Sequence, residues 1–284
     1  MSAVRRSVGG MKFGVTASCG SAAQSIEMAV AAEEAGWDGF FAWDGISVGA
    51  MDTFDPWTLL GAAAVRTRRI TLGAMVFSLP RRKPWEVARQ ALTVDHLSGG
   101  RLVLPVGLGA VDDGAYSRVS GESVDVKERA ALLDDSLAIL DLAWTGEPFS
   151  FEGTHHRVSD LVFQPRPVHG RIPVWVIGSW FAPRSMRRAA GRDGVLPIRR
   201  EDGFDPLSPD QLREVRAWVS EQRGGEPFEL VVEGVLPSDP VQARDRAATL
   251  EDAGVTWWIH SDWDFSTVTP DGLLDRIRLG PVPR

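Results

Sequence analysis

The fold turns on one stretch: Ile70-Thr71-Leu72-Gly73-Ala74-Met75-Val76-Phe77, then Lys83-Pro84 and a helical pattern to Leu97, then Ser98-Gly99-Gly100, then Arg101-Leu102-Val103-Leu104-Pro105-Val106-Gly107. Two apolar runs of strand length flank a segment of helix length. Pro84 suits a first helical position, where its missing N–H is unpaired anyway and its φ is already helical. The glycine pair supplies the left-handed stop. Strand, helix and strand in so short a span make a βαβ unit, whose crossover joins two parallel strands. The strands are apolar nearly throughout rather than alternating, so both of their faces must be covered.

Reading outward, the unit repeats. Lys12–Ala17 precedes a helix from Ser21 to Gly36, and Gly39–Trp43 precedes a helix from Asp55-Pro56 to Arg66. After Arg101–Gly107 comes a helix at Val126–Trp144, where Ala130, Leu133, Leu137, Leu140 and Trp144 form one apolar stripe. Four further strands are predicted at Ile172–Gly178, Gly194–Pro197, Phe228–Val235 and Val255–His260, each followed by a helix that opens with X-Pro: Ala182-Pro183, Ser208-Pro209, Asp239-Pro240 and Thr269-Pro270. Asp55, Ser208, Asp239 and Thr269 are N-cap residues in type. An open doubly wound sheet uses the same units, but eight of them in 284 residues match the count and size of a (β/α)8 TIM barrel. The expectation is an α/β protein with one such barrel over residues 11–284. A small insert, Thr145–Arg171, falls between the fourth helix and the fifth strand, and Phe149, Phe151 and Val158 predict a hairpin in it.

Composition narrows the function. Lys+Arg 31 against Asp+Glu 38 gives a net charge of −7, which argues against nucleic acid as partner, since phosphate binding needs a basic face. The single cysteine, Cys19, excludes an internal disulfide and multi-cysteine metal sites. His155-His156 are adjacent and cannot share a helix face, so no metal is expected. No apolar stretch approaches the roughly 18 residues of a membrane span. Residues 1–10 read as a loose leader: Arg5 and Arg6 are followed by Ser7-Val8-Gly9-Gly10, not by a signal peptide's apolar run, so the expected location is the cytoplasm. One count stands out, 11 Trp against a single Tyr.

Barrel active sites form where strands end. Those ends carry Ser18 and Cys19, Trp43 and Asp44, Ala74-Met75-Val76, Gly107-Leu108-Gly109 with Asp112 and Asp113, Gly178-Ser179-Trp180, Arg199 and Arg200, and His260-Ser261-Asp262-Trp263. Aromatic side chains and glycine backbone suit a flat, conjugated ligand. Gly178-Ser179 before a Pro183 helix matches a phosphate site, where free N–H groups and the helix dipole favour an anion. Gly107-Leu108-Gly109 lacks the third glycine of a dinucleotide fingerprint and reads as a place where a ligand lies close to backbone. His260, two residues before Asp262, is placed for proton transfer. No nucleophile elbow is present, which removes the Ser-His-Asp hydrolase reading.

With these segments in view, the chain resembles the bacterial luciferase-like monooxygenases, barrel enzymes that use FMN or the deazaflavin F420. The resemblance runs from Met11 to about Pro197. It rests on Ala32-Glu33-Glu34-Ala35-Gly36-Trp37-Asp38-Gly39, Asp55-Pro56-Trp57, Arg69 to Val76, Arg82 and Pro84, Leu97-Ser98-Gly99-Gly100-Arg101-Leu102 leading to Gly107-Leu108-Gly109, Phe151-Glu152-Gly153, and Ile172 to Gly178. It implies a flavin-dependent oxidoreductase or monooxygenase acting on a small organic substrate with reduced FMN or F420. A separate flavin reductase and a homodimer are the implied partners. It implies a non-prolyl cis peptide within Ala74-Met75-Val76 against the flavin ring, Gly107, Gly109 and Asp112 flanking that ring, and Gly178, Ser179 and Trp180 at the cofactor phosphate. Asp44 and His260 are the expected catalytic pair. One departure stands against it: the family often has Asp-His after the second strand, and here the pair is Asp44-Gly45. The loss of that imidazole leaves a second reading, a non-catalytic flavin-binding protein or a degenerate subunit of a luciferase-like heterodimer.

Overall fold

A computed structural model describes residues 10–180, 182–199 and 207–282. The expected leader, apart from Gly10, and Arg200 lie outside the described residues. The chain runs β1 (Lys12–Thr16), α1 (Ala22–Glu34), β2 (Gly39–Ala42), α2 (Pro56–Arg66), β3 (Thr71–Ala74), β4 (Phe77–Ser78), a 3₁₀ turn (Leu79–Arg81), α3 (Pro84–Ser98), β5 (Leu104–Gly107), α4 (Gly114–Ser117) and α5 (Val126–Ala143). It continues through β6 (Phe149–Glu152), β7 (Arg157–Leu161), β8 (Val174–Ser179), α6 (Pro183–Ala190), β9 (Gly194–Ile198), α7 (Pro209–Gln222), β10 (Glu229–Gly234), α8 (Pro240–Asp252), β11 (Trp257–His260) and α9 (Pro270–Arg278). Each helix expected to open at a proline does so, and Asp55, Ser208, Asp239 and Thr269 each accept a backbone N–H at the cap.

The parallel sheet has the order β3-β2-β1-β11-β10-β9-β8-β5-β4. Its two edge pieces, β3 and β4, belong to one strand: β3 pairs with β2, β4 pairs with β5, and a parallel bridge joins Leu72 to Leu102. The sheet therefore closes on itself as the expected barrel. The third strand is not the continuous Ile70–Phe77 run read from the sequence. It turns at Met75-Val76, where the peptide bond is cis. The insert forms the expected antiparallel hairpin, β6 with β7, and Asp135 of α5 holds its turn by accepting the N–H groups of Thr154, His155 and His156 at 2.7–3.2 Å.

Strand residues alternate between barrel interior and helix layer. The interior holds Phe41, Met75, Val103, Trp175, Leu196, Val231, Trp257 and Ile259. Three rings dominate it: Trp175 and Trp257 lie 5.3 Å apart and Phe41 packs 6.0 and 6.2 Å from them. Strand glycines make room for them. A Cβ on Gly14 would stand 2.6 Å from the Phe41 ring, and one on Gly39 would stand 2.9 Å from Trp257. Much of the tryptophan surplus is thus architecture: Trp175 and Trp257 fill the barrel, while Trp37, Trp57, Trp144 and Trp258 pack between strands and helices.

At the foot of the barrel, where strands begin, half-buried charges are matched. The Glu33 carboxylate accepts N–H groups from Arg68, Arg69 and Ile70 at 2.6–3.0 Å. Burial opposes its ionisation, but those donors outweigh it and hold the carboxyl below its usual range. Arg101 donates to the carbonyls of Ser98, Ile70, Ala64 and Thr67 and to the Thr67 hydroxyl. Gly99 and Gly100, at φ +69° and +86°, turn the chain out of α3 so that Arg101 can reach them.

Candidate active site

Carried to the strand ends, the same alternation defines a mouth. Inward positions there belong to Thr16 at the end of β1 and Ser18 beyond it, Trp43 after β2, the Met75-Val76 turn, Ser179 of β8, Glu233 of β10 and Ser261 after β11. The Thr16 and Ser261 hydroxyls are 2.8 Å apart, across the seam where the first and last barrel strands pair. Ser18 is buried and its hydroxyl has no partner among the described residues.

One side of the mouth is aromatic. Trp43 meets Trp263 edge-on at 5.9 Å and Phe265 at 6.3 Å, with Trp263 and Phe265 6.1 Å apart. Trp43 also folds over Gly45: a Cβ there would lie 2.9 Å from both the Cε3 and Cη2 atoms and closer still to Cζ3. The indole fills the volume a residue-45 side chain would use.

The other side is ionic and closed. Arg81 bridges Asp44 at 2.7 Å and Asp113 at 2.6 Å, and Arg82 pairs with Asp44 at 2.5 Å. Asp44 also accepts the Ser78 N–H at 2.9 Å. Burial would raise the Asp113 carboxyl, but the N–H groups of Ala115, Ser47 and Ile46 and the Arg81 charge outweigh it and hold the carboxyl low. Tyr116 hydrogen-bonds Ser78 and donates to the Leu108 carbonyl, and Arg129 donates to the carbonyls of Leu108 and Gly109. This cluster ties the loops after the second, third and fourth barrel strands into one wall.

Several expected residues are placed differently by this geometry. His260 does not enter the mouth. It pairs in register with Val15 and Gly234, on the helix side of β11, 6.2 Å from the Trp37 ring. Parity explains the correction: Trp257 and Ile259 point in, so Trp258 and His260 point out. Burial, with the nearby Arg276 charge, pushes its imidazole down to about 4. Asp44 is at the right height, but its carboxylate is fully enclosed and committed to two guanidinium groups, so it acts as an anchor for the wall. Asp112 is exposed, and its neighbour Asp113 makes the contacts.

The glycines also read differently. A Cβ on Gly107 would meet Ile177 and Val76 at 2.9 and 3.1 Å, and one on Gly109 would meet Tyr116 at 2.6 Å, so protein side chains occupy the space over them. Gly178 faces α6, where a Cβ would stand 2.7 Å from Met186 Sδ. Ala74 packs in the outer layer. Met75, Val76 and Ile177 pack together, with Gly107 against Val76 and Ile177. Trp180 follows Ser179, with its N–H on the Ile198 carbonyl. Next to it, α6 begins at Ala182-Pro183 with no side chain capping its N-terminus, while the Ser179 N–H donates to Ser185 Oγ at 3.0 Å.

Sequence reading missed Glu233. It lies in register with Ile259 and faces inward, and the Trp263 Nε1–H donates to its Oε2 at 3.4 Å. Burial raises its carboxyl, an effect that the Ser261 and Trp263 donors only partly offset. The available signal was parity: Val231 and Glu233 share a face, and a charged residue there interrupts the interior's apolar row.

A cavity of about 710 Å³ lies at the opposite end, lined by Asp141, Arg166, Arg171, Arg192 and Arg223. It is framed by strand starts and helix ends, the face that serves stability in barrel enzymes.

The sequence model of the luciferase-like monooxygenases matches residues 9–235. The chain belongs to the luciferase-like monooxygenase family. This luciferase-like chain is 32% identical over 200 residues to an F420-dependent glucose-6-phosphate dehydrogenase of Intrasporangium calvum, covering 66% of this chain and 56% of that protein. It is 31% identical over 176 residues to 4-hydroxyprotoasukamycin monooxygenase of Streptomyces nodosus subsp. asukaensis, covering 62% and 46%. The chain thus spans about half the length of these curated relatives. In structure it is similar to the FMN-bound oxygenating constituent of 3,6-diketocamphane monooxygenase from Pseudomonas putida, at a TM-score of 0.74 and 18% identity over 95% of this chain and 96% of that one. The family match ends at Val235, so the aromatic wall of Trp263 and Phe265 lies beyond it.

Proposed function

We propose that the chain is a flavin-type oxidoreductase that acts on a small organic molecule at the barrel mouth. The observation that carries this reading is the pairing, at one end of the barrel, of an uncapped α6 N-terminus with an aromatic wall. The first suits a cofactor phosphate, the second a conjugated ring. The Ser18 hydroxyl, without a partner among the described residues, marks a polar place for a guest on the same rim. Met75, Val76 and Trp43 would hold the ring, with Ser179 and the start of α6 at the phosphate. Reduced FMN or F420, when bound, supplies reducing equivalents or activates oxygen. The protein's part is orientation and exclusion of water: Trp43, Trp263 and Phe265 shield one side, and the Arg81-centred wall keeps the other rigid.

Among the described residues no helix is long and apolar enough to cross a membrane. The reading adds a cytoplasmic location, a homodimer formed through barrel helices, and a flavin reductase as a source of reduced cofactor. Support for these comes from the family's habits.

The replacement of the family histidine by Gly45 under the Trp43 ring favours a second reading, a flavin-binding protein without turnover or one subunit of a heterodimer. Spectral titration of the purified chain with FMN and with F420, oxidised and reduced, with and without oxygen, tests both. Spectral change and cofactor reoxidation with substrate support the enzyme. Binding without reoxidation moves the assignment to the second reading, and no spectral change with either cofactor overturns both.

A further inference from the structure

We infer that Glu233 serves the mouth as a neutral acid and donates a hydrogen bond to an acceptor oxygen of the bound molecule, of the kind a ketone or aldehyde presents. The inference deepens the proposed function and rests on it only for what the guest is used for.

Position comes first. Glu233 stands one inward step beyond Val231, which pairs with Trp257 in the barrel interior. Trp263, which donates to it, is part of the aromatic wall where a guest would lie.

Charge comes second. On β11 the groups facing it are Ser261 and Trp263, β1 contributes only Thr16 through Ser261, and β9 brings Ile198 into the same row. Among the described residues, the buried or half-buried cations around the barrel have partners of their own. Arg81 holds Asp44 and Asp113, Arg129 holds the Leu108 and Gly109 carbonyls, Arg199 reaches Gln211, and Arg276 lies behind β11 over Trp37. The acid that follows β11, Asp262, acts on Cys19 and His260. A half-buried carboxylate against the Trp263 indole, with no cation beside it among the described residues, is expensive, and such groups tend to keep their proton.

Hydrogen bonding comes third. Indole can only donate, so Trp263 uses a lone pair of the carboxyl and cannot receive its proton. The Ser261 hydroxyl accepts from Thr16 and donates to the carboxyl, so it does not receive the acid proton either. The acid O–H is thus left for an oxygen that enters the mouth, and a neutral donor there recognises a carbonyl and disfavours a cation's N–H groups.

The test uses the full chain labelled with ¹³C at glutamate carboxyls, in wild type and Glu233→Gln. One carboxyl signal should titrate above all the others and be absent from the variant. If every glutamate titrates in the ordinary range, the proposal falls. Tryptophan fluorescence then follows acetophenone and benzylammonium, similar in size and opposite in need. Wild type should prefer acetophenone. Glu233→Gln keeps an N–H donor and should bind it within about twofold, whereas Glu233→Ala should bind it about tenfold more weakly, the value of one hydrogen bond. A preference for benzylammonium, acetophenone binding untouched by Glu233→Ala, or no acetophenone binding overturns the proposal. A parallel FMN and F420 titration keeps the questions apart, because a protein that takes up neither cofactor sinks the flavin reading and leaves the carboxyl result standing.

Discussion

The two ends of this barrel treat charge in opposite ways. At the foot, Glu33 receives backbone N–H groups from three consecutive residues and Arg101 saturates four carbonyls and a hydroxyl. At the mouth the polar groups divide. Asp44, Arg81 and Asp113 satisfy one another, while Glu233 and Ser18 keep capacity in reserve. A fully matched charge adds rigidity and has nothing left for a guest. An under-matched one costs stability and is available for binding. The difference separates scaffold from site without reference to any relative.

The comparison breaks most visibly at Arg101. Arg101→Met strips a charged donor from the carbonyls of Ile70, Ala64 and Thr67, at about 1–3 kcal/mol for each group left buried. A total loss of about 3–5 kcal/mol is expected in urea unfolding, with cofactor uptake by the surviving folded protein unchanged. If the stability loss is under about 1 kcal/mol, the foot is not the rigid end.

Arg81→Met should cost less, about 2–3 kcal/mol, because Asp44 keeps Arg82 and Asp113 keeps its backbone donors. Unlike the change at Arg101, it should also loosen the loops after the second and fourth barrel strands and weaken cofactor uptake. Hydrogen exchange at Ile46, Ser47 and Ala115 reads this directly. The pH dependence has a definite sign. The folded Asp113 carboxyl sits below its unfolded value, so its contribution is present above the unfolded value and is lost as pH falls through the folded one. Arg81→Met should therefore flatten the acid limb of the stability curve.

Gly45→Ala drives a Cβ into the Trp43 indole and should cost about 1–3 kcal/mol through overpacking. A changed tryptophan emission with a lowered Tm is expected, and an unmoved Tm shows that the ring swings aside freely.

The smallest effect is also the most discriminating. The Glu233 carboxyl is raised in the fold, so its contribution is complete below the unfolded value and is lost as pH climbs through the folded one. Glu233→Gln should leave Tm nearly unchanged in acid and raise it slightly above neutral pH. A lower Tm at alkaline pH would mean that the carboxylate is matched after all. His260 supplies the contrast. Its imidazole falls from 6.5 to about 4 in the fold, so its contribution, about 3 kcal/mol in full, is present above 6.5 and disappears as pH falls through 4. His260→Leu should blunt that loss in acid without changing turnover.

Much of the fold was legible because its signals are local. Proline at a first helical position, Asp or Ser before it and glycine after the last turn act within a few residues, and they placed helix starts such as Pro84 and Pro240 correctly. The break in the third strand was not legible as an interruption of pairing, since the two halves choose different partners only once the sheet closes. The site was read less well. Ranking residues by type favoured His260 and Asp44, but a histidine's reach depends on which face of the strand it occupies. An aspartate's role depends on which distant arginines arrive beside it.

The amino-acid sequence by itself determined the strand–helix alternation, the barrel count, the helix caps and the family, because periodicity and turn chemistry are properties of neighbouring residues. Only the tertiary structure decided that Trp43 fills the place over Gly45, that Arg81 commits Asp44 and Asp113, and that Glu233 stands at the mouth with no cation beside it among the described residues. Those facts concern desolvation and pairing between groups far apart in the chain, and a charge's surroundings exist only once the strands have closed around it.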